Sequence, residues 1–288
     1  MASGTWNPPD LHDRVAIVTG ASRGAGRSIA AVLGETGARV YVTGRSTRLA
    51  GTTEDLPGTI EDTAEEVDRR GGTGVPVRCD HTADADVEHL VELVRREAGR
   101  LDLLVNNAWG GYEAHDYLTF NAPFWEQPRT RWDQMFTAGV RAHLTMSQLA
   151  APLLLDRQGP DRPALIASTV AWSYGRPLGG AVYDMAKAAL VRLAYVTAQE
   201  LRPHRIAAVA IAPGFMRTER VMAAHAAHPF DLTGTESPEY FGRAVASLAG
   251  DPEVMRHTGE VLTAGDLARV YGFTDVDGTQ PEPFRMPE

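Results

Sequence analysis

Tyr183 and Lys187 stand four residues apart in AVYDMAKAAL (181–190), and Lys187 is the only lysine in a chain with 28 Lys and Arg side chains. On a helix, that spacing projects both side chains from one face. A phenol with its usual pKa of about 10 is a poor base at neutral pH. A cation beside it favours the phenolate. The pair therefore reads as a proton-transfer site. A slim ammonium with three rotatable donors can touch several oxygens at once, which a planar guanidinium cannot do in the same space.

A second group of residues suits an anion. TGASRGAG (19–26) spaces Gly20, Gly24 and Gly26 between an apolar run and an amphipathic one. Glycines at such a turn let the backbone bend tightly and let a pyrophosphate approach the helix N-terminus. The next apolar run ends in VTGRS (42–46), where a site for NAD would carry an Asp or Glu for the ribose 2′-hydroxyl. Gly44 and Arg45 stand there instead, and Arg23 lies in the glycine turn. Two guanidiniums suit a 2′-phosphate, so the expected cofactor is NADP(H). Asp80 is expected to meet the adenine amino group.

These residues need a scaffold. Short β-branched runs at 14–19, 38–43, 76–80, 101–107, 163–168, 205–213 and 259–265 alternate with amphipathic stretches such as 84–98, 130–155 and 181–201. Strand, helix, strand, repeated, predicts a single α/β domain of the Rossmann type: a doubly wound parallel sheet flanked by helices. Its core would span about 14–265, with an extended Pro-rich tail at about 276–288. The 288 residues, 43% of them hydrophobic, can bury such a core. A net charge of -9 argues against a nucleic-acid binder. There is no run of about 18 apolar residues, so no membrane-spanning helix is expected. One cysteine, Cys79, excludes an internal disulfide, in keeping with a cytoplasmic location.

In four places, in order, the chain resembles the short-chain dehydrogenase/reductase family: TGASRGAG at 19–26, NNA at 106–108, Tyr183-x3-Lys187, and Pro213-Gly214 with Thr218. The resemblance implies an NADP(H)-dependent oxidoreductase interconverting a carbonyl and a secondary alcohol. Tyr183 would be the general acid/base, and Lys187 would position the ribose and tune Tyr183. Further cofactor contacts would come from Ser22, Ser46, Asn107, Ala108, Pro213, Gly214, Met216 and Thr218. A hydroxyl at the end of the 163–168 strand would polarise the carbonyl. Ser168 is the first choice and Thr169 the second, because the family's spacing to the tyrosine falls on Val170. The resemblance also implies a homodimer or homotetramer, paired through the helices at 130–155 and 181–201.

Two positions depart from the family pattern. Trp109 replaces a glycine beside the nicotinamide, and Gly139 stands where many members carry an Asn that anchors a relay water. They leave a second reading open: a nucleotide-binding sensor or assembly protein with reduced turnover. The segments 109–129, 170–180 and 214–236 should rim the cleft. Trp109 and Phe215 are the candidate substrate contacts. Tyr112, Tyr117, Phe120, Phe124, Trp125, Met216, Met222 and Phe230 add to a surface suited to a bulky apolar substrate. His225 and His228 share a helix face without a supporting Cys or carboxylate cluster, so no metal site is expected.

Overall fold

The structure is a computed structural model, and it describes residues 6–113, 122–157, 163–171 and 176–283. The elements are β1 (Val15–Val18), α1 (Gly24–Glu35), β2 (Arg39–Gly44), α2 (Ile60–Arg69), β3 (Thr73–Arg78), α3 (Asp84–Ala98) and β4 (Leu103–Asn106). A π-helical stretch, Asp133–Arg141, runs directly into α4 (Ala142–Leu155). Then follow β5 (Ala164–Thr169), α5 (Ala181–Leu201), β6 (Ile206–Ala212), α6 (Glu219–Ala227), α7 (Pro238–Gly250), β7 (Val261–Thr263) and α8 (Ala264–Tyr271).

The seven strands form one parallel sheet in the order β3-β2-β1-β4-β5-β6-β7. The order reverses direction between β1 and β4, so a crevice opens beyond their C-terminal ends. Strand alternation sorts the core onto two faces. Ala16, Val18, Val40, Val42, Leu165 and Ala167 meet Ile29, Leu33, Phe241 and Leu248 on one side. Ile17, Tyr41, Leu104 and Ile166 meet Leu90, Val94, Met146 and Leu153 on the other. The predicted doubly wound α/β fold is the fold observed.

Boundaries moved where local signals conflicted. β3 begins at Thr73, three residues before the run at 76–80, because Gly74 and Pro76 hide an edge strand. A Cβ on Gly74 would come within 2.2 Å of the Ala64 carbonyl oxygen, so close packing on α2 requires glycine there. The run 259–265 divides between β7 and the start of α8. The tail up to Pro283 folds back on its own chain: Gln280 donates to the carbonyls of Ala268 and Phe273, and Tyr240 donates to that of Pro281. Residues 284–288, like Tyr117 and Phe120, lie outside the described residues.

Candidate active site

A cleft of about 800 Å³ opens at the C-terminal edge of the sheet. Its glycine-turn end is built mostly from backbone. Gly20 has φ +64°, and a Cβ on Gly26 would come within 2.3 Å of the Gly20 carbonyl oxygen, so the turn can close only on glycine. Thr19 ties this turn to β4: its Oγ1 accepts from the backbone N–H groups of Asn107 and Ala108. Asn107 Nδ2 in return donates to the carbonyls of Thr19 and Gly20.

The N-terminus of α1 already holds an anion. Gly24 N–H donates to Glu219 Oε2 at 2.8 Å. Arg23 lies across the cleft floor and donates to Ser46 Oγ and Thr53 Oγ1, each at 2.9 Å. Arg45 forms an ion pair with Glu113, and Arg220 one with Glu54 at 2.5 Å. Asp80 lines the cleft, with its carboxylate accepting from the amide and hydroxyl of Thr82. Glu54, Glu113 and Glu219 were not among the residues singled out from the sequence. No motif marks them, since each reaches the cleft from a loop or a helix end.

The other end of the cleft holds the Tyr-Lys pair. Both residues lie on α5, as the spacing predicts, and both are buried. Lys187 Nζ sits 3.5 Å from the centre of the Trp109 ring and 5.5 Å from that of Tyr183. Burial pushes the Lys187 ammonium down to about 7. The indole packs edge-on against Tyr183, with ring centres 5.7 Å apart. A buried cation on an indole face is worth about 2 kcal/mol.

Trp109 fits because Gly139 has no side chain: a Cβ there would lie 2.6 Å from Cζ3 of the indole. The two departures from the family pattern are therefore one packing event. His143 of α4 closes the wall. Its Nε2 pairs with the Ala108 carbonyl at 3.1 Å, and burial, aided by Lys187, pushes it down to about 3, so it stays neutral. The reading of the sequence did not single out His143.

Thr169 lines the cleft with Val170 and Ala171, whereas Ser168 is buried in the sheet and is not part of that wall. Gly214 N–H donates to Glu236 Oε1 at 2.9 Å, and Phe215 and Glu236 are joined by a backbone bond. Glu236 is buried, and desolvation pushes its carboxyl up to about 7. Ser22, Pro213, Phe215, Met216 and Thr218 also line the cleft, and Thr218 caps α6. Among the described residues no cluster could hold a metal ion, and no helix is long and apolar enough to cross a membrane.

The seven-stranded order, the glycine turn and the Tyr-Lys pair on one rim define a nucleotide-binding oxidoreductase of the short-chain type. The sequence profile described as short chain dehydrogenase matches residues 14–228. The mouse protein "Dehydrogenase/reductase SDR family member 1" is 39% identical over 280 residues, covering 93% of this chain and 85% of its own. A short chain dehydrogenase of Mycobacterium thermoresistibile superposes with a TM-score of 0.79 at 25% identity, covering 96% of this chain and 95% of the other. A Shigella flexneri structure, titled a short chain dehydrogenase complexed with NADP, gives 0.72 at 25% identity and covers 90% and 99%. The chain belongs to the short-chain dehydrogenase/reductase family, whose members use nicotinamide cofactors.

Proposed function

We propose that this protein is an NADP(H)-dependent reductase of bulky apolar or aromatic carbonyls, acting also in reverse on the secondary alcohols. The observation that carries the reading is the buried Tyr183 and Lys187 on one turn of α5, facing the same cleft as the glycine turn and the two arginines. The glycine cradle fits a pyrophosphate, and Glu219 shows that an anion is accepted at the α1 N-terminus. Gly20, Gly24 and Gly26 would hold the pyrophosphate. Arg23, Arg45, Ser22 and Ser46 would face the 2′-phosphate, and Asp80 the adenine. Asn107, Ala108, Pro213, Gly214, Met216 and Thr218 would line the nicotinamide half. Bound NADPH would supply a hydride to the carbonyl carbon.

The chain's own residues handle the proton. Thr169, rather than Ser168, donates to the substrate oxygen. Tyr183 Oη–H protonates that oxygen as general acid. The Lys187 ammonium stabilises the phenolate left behind, and the growing negative charge holds the ammonium protonated in return. Trp109 and Phe215 shape an aromatic wall for the substrate. Of the two readings, the reductase is favoured over the sensor because the pair is intact, buried and open to the cleft.

The test is a binding and turnover comparison. NADPH should bind at least about tenfold more tightly than NADH, the worth of one charge-assisted contact. Arg45→Asp should abolish that preference. Oxidation of NADPH should follow addition of phenanthrenequinone, 1-tetralone or acetophenone. Equal affinity for the two cofactors would refute the 2′-phosphate assignment. Tight binding without turnover across the carbonyl panel would favour the sensor reading.

A further inference from the structure

A tyrosine that gives up its proton in each reduction must regain one before the next, and Tyr183 is only 8% exposed. Its surroundings limit where that proton can enter. On the side of Lys187 the indole of Trp109 lies flat on the ammonium at 3.5 Å. Behind the indole, Gly139 leaves no gap, since even a methyl group there would clash. His143 lies beyond, neutral and tied to the Ala108 carbonyl. The interior side of the pair is therefore filled by a ring that carries no exchangeable proton on its face. Toward the rim the picture differs. Tyr112 places its hydroxyl 3.4 Å from that of Tyr183, with the rings 6.3 Å apart and tilted by 32°. Tyr112 is 36% exposed and lines the cleft. Arg220, anchored by Glu54, lies 5.6 Å from the Tyr112 ring centre.

We propose that Tyr112 is the relay through which Tyr183 regains its proton from solvent, the adjacent phenols forming a two-step proton path at the cleft mouth. This rests on Tyr183 being the general acid. As the substrate O–H bond forms, the Tyr183 O–H bond breaks and leaves a phenolate. The Tyr112 O–H bond then breaks as the Tyr183 O–H bond re-forms, and the Tyr112 phenolate takes a proton from water or a buffer acid. These transfers move protons alone; the electron pair enters with the hydride, so each reduction takes up one solvent proton. Arg220 favours the transient Tyr112 phenolate, as a nearby cation does for any phenol. Tyr112 acts through Tyr183, so its effect should fall mainly on recycling and far less on the first chemical event.

Tyr112→Phe keeps the ring and removes the hydroxyl. A single turnover, started from protein with Tyr183 already protonated, should slow by no more than about threefold, the part of a one-unit rise in the Tyr183 pKa that general-acid transfer feels. Steady-state kcat should fall by about tenfold or more, within the usual worth of a positioned proton-transfer group. KM should hold, the solvent deuterium isotope effect on kcat should rise, and added imidazole buffer should restore part of the rate. The substrate is whichever aromatic carbonyl of the panel above is reduced fastest. A second readout needs neither substrate nor cofactor. In 13Cζ-tyrosine NMR the Tyr183 titration midpoint should rise by about one pH unit in Tyr112→Phe, because a donor to its phenolate is gone. Equal losses in single turnover and steady state, a change in KM alone, or an unmoved Tyr183 midpoint would each overturn the relay. Full turnover in Tyr183→Phe would instead overturn the general-acid reading, so the two failures are distinguishable.

Discussion

The two ends of the cleft are built by different means. The glycine turn at one end is a local design: one strand, one turn and one helix within residues 15–35, with glycines where the backbone must turn or approach closely. The Tyr-Lys end is assembled across distance: Trp109 after β4, Gly139 in the π-helical stretch, His143 in α4 and Lys187 in α5. The first end can be read from consecutive residues. The second has no local signature, because a tryptophan and a glycine thirty positions apart become complementary only once their elements pack. A π-helical stretch within a longer helix often marks a functional site, and here it carries the glycine that admits the indole.

The largest test of the contrast is at the Tyr-Lys end. Tyr183→Phe should lower kcat by on the order of a thousandfold while cofactor binding, followed by fluorescence, is retained. Lys187→Arg should cost about 100-fold, because the indole 3.5 Å away leaves no room for a planar guanidinium without displacing a reacting group. Near-wild-type kcat in the arginine variant would show that charge alone matters and that the packed geometry does not.

A smaller effect concerns the loop beneath that end. The buried Glu236 carboxyl is raised from its ordinary 4.5 to about 7. Between those values the folded protein binds a proton that the unfolded chain has lost, so stability is present below pH 4.5 and declines as pH rises through 7. Glu236→Gln should remove the decline and gain up to about 3 kcal/mol at pH 8. Urea denaturation at pH 5 and pH 8 measures it, and parallel pH dependence in the two proteins would rule it out.

The link between Trp109 and Gly139 is tested by stability. Gly139→Ala should cost about 1–3 kcal/mol through overpacking. In a Trp109→Gly background the same change should cost almost nothing, so the double mutant is more stable than additivity predicts. Independent effects would mean that the two positions are not coupled. The smallest expected change is at the glycine turn. Glu219→Gln removes a charge that occupies the α1 N-terminus. NADPH should then bind a few-fold more tightly, in line with about 0.3–1 kcal/mol for a charge at a helix end. Calorimetry reads this directly, and weaker binding would show that Glu219 supports the site instead of competing for it.

The legible part of the site follows one rule. Gly20, Gly24 and Gly26, the arginines beside them and the Tyr183–Lys187 spacing are short-range patterns, and each lands on the element the pattern requires. The sequence put Ser168 before Thr169, but counting back from Tyr183 cannot place a loop longer by a residue or two; in the fold Thr169 is the one of the two that lines the cleft. Helix α7 has a clear reason to exist, packing Phe241 and Val245 against α1.

By itself, the sequence determined the alternation of strands and helices, the glycine turn, the helical phase that puts a phenol and an amine on one face, and thereby the family. Those properties depend on residues within one or two turns of each other, where backbone geometry dictates the outcome. The tertiary structure alone decided that Trp109 lies on Lys187, that Gly139 makes the space, that Glu113 pairs with Arg45 and Glu219 with the α1 N-terminus, and that Tyr112 reaches Tyr183. Such contacts join segments far apart in the chain, and only the packing of the sheet with its helices sets the distances between them.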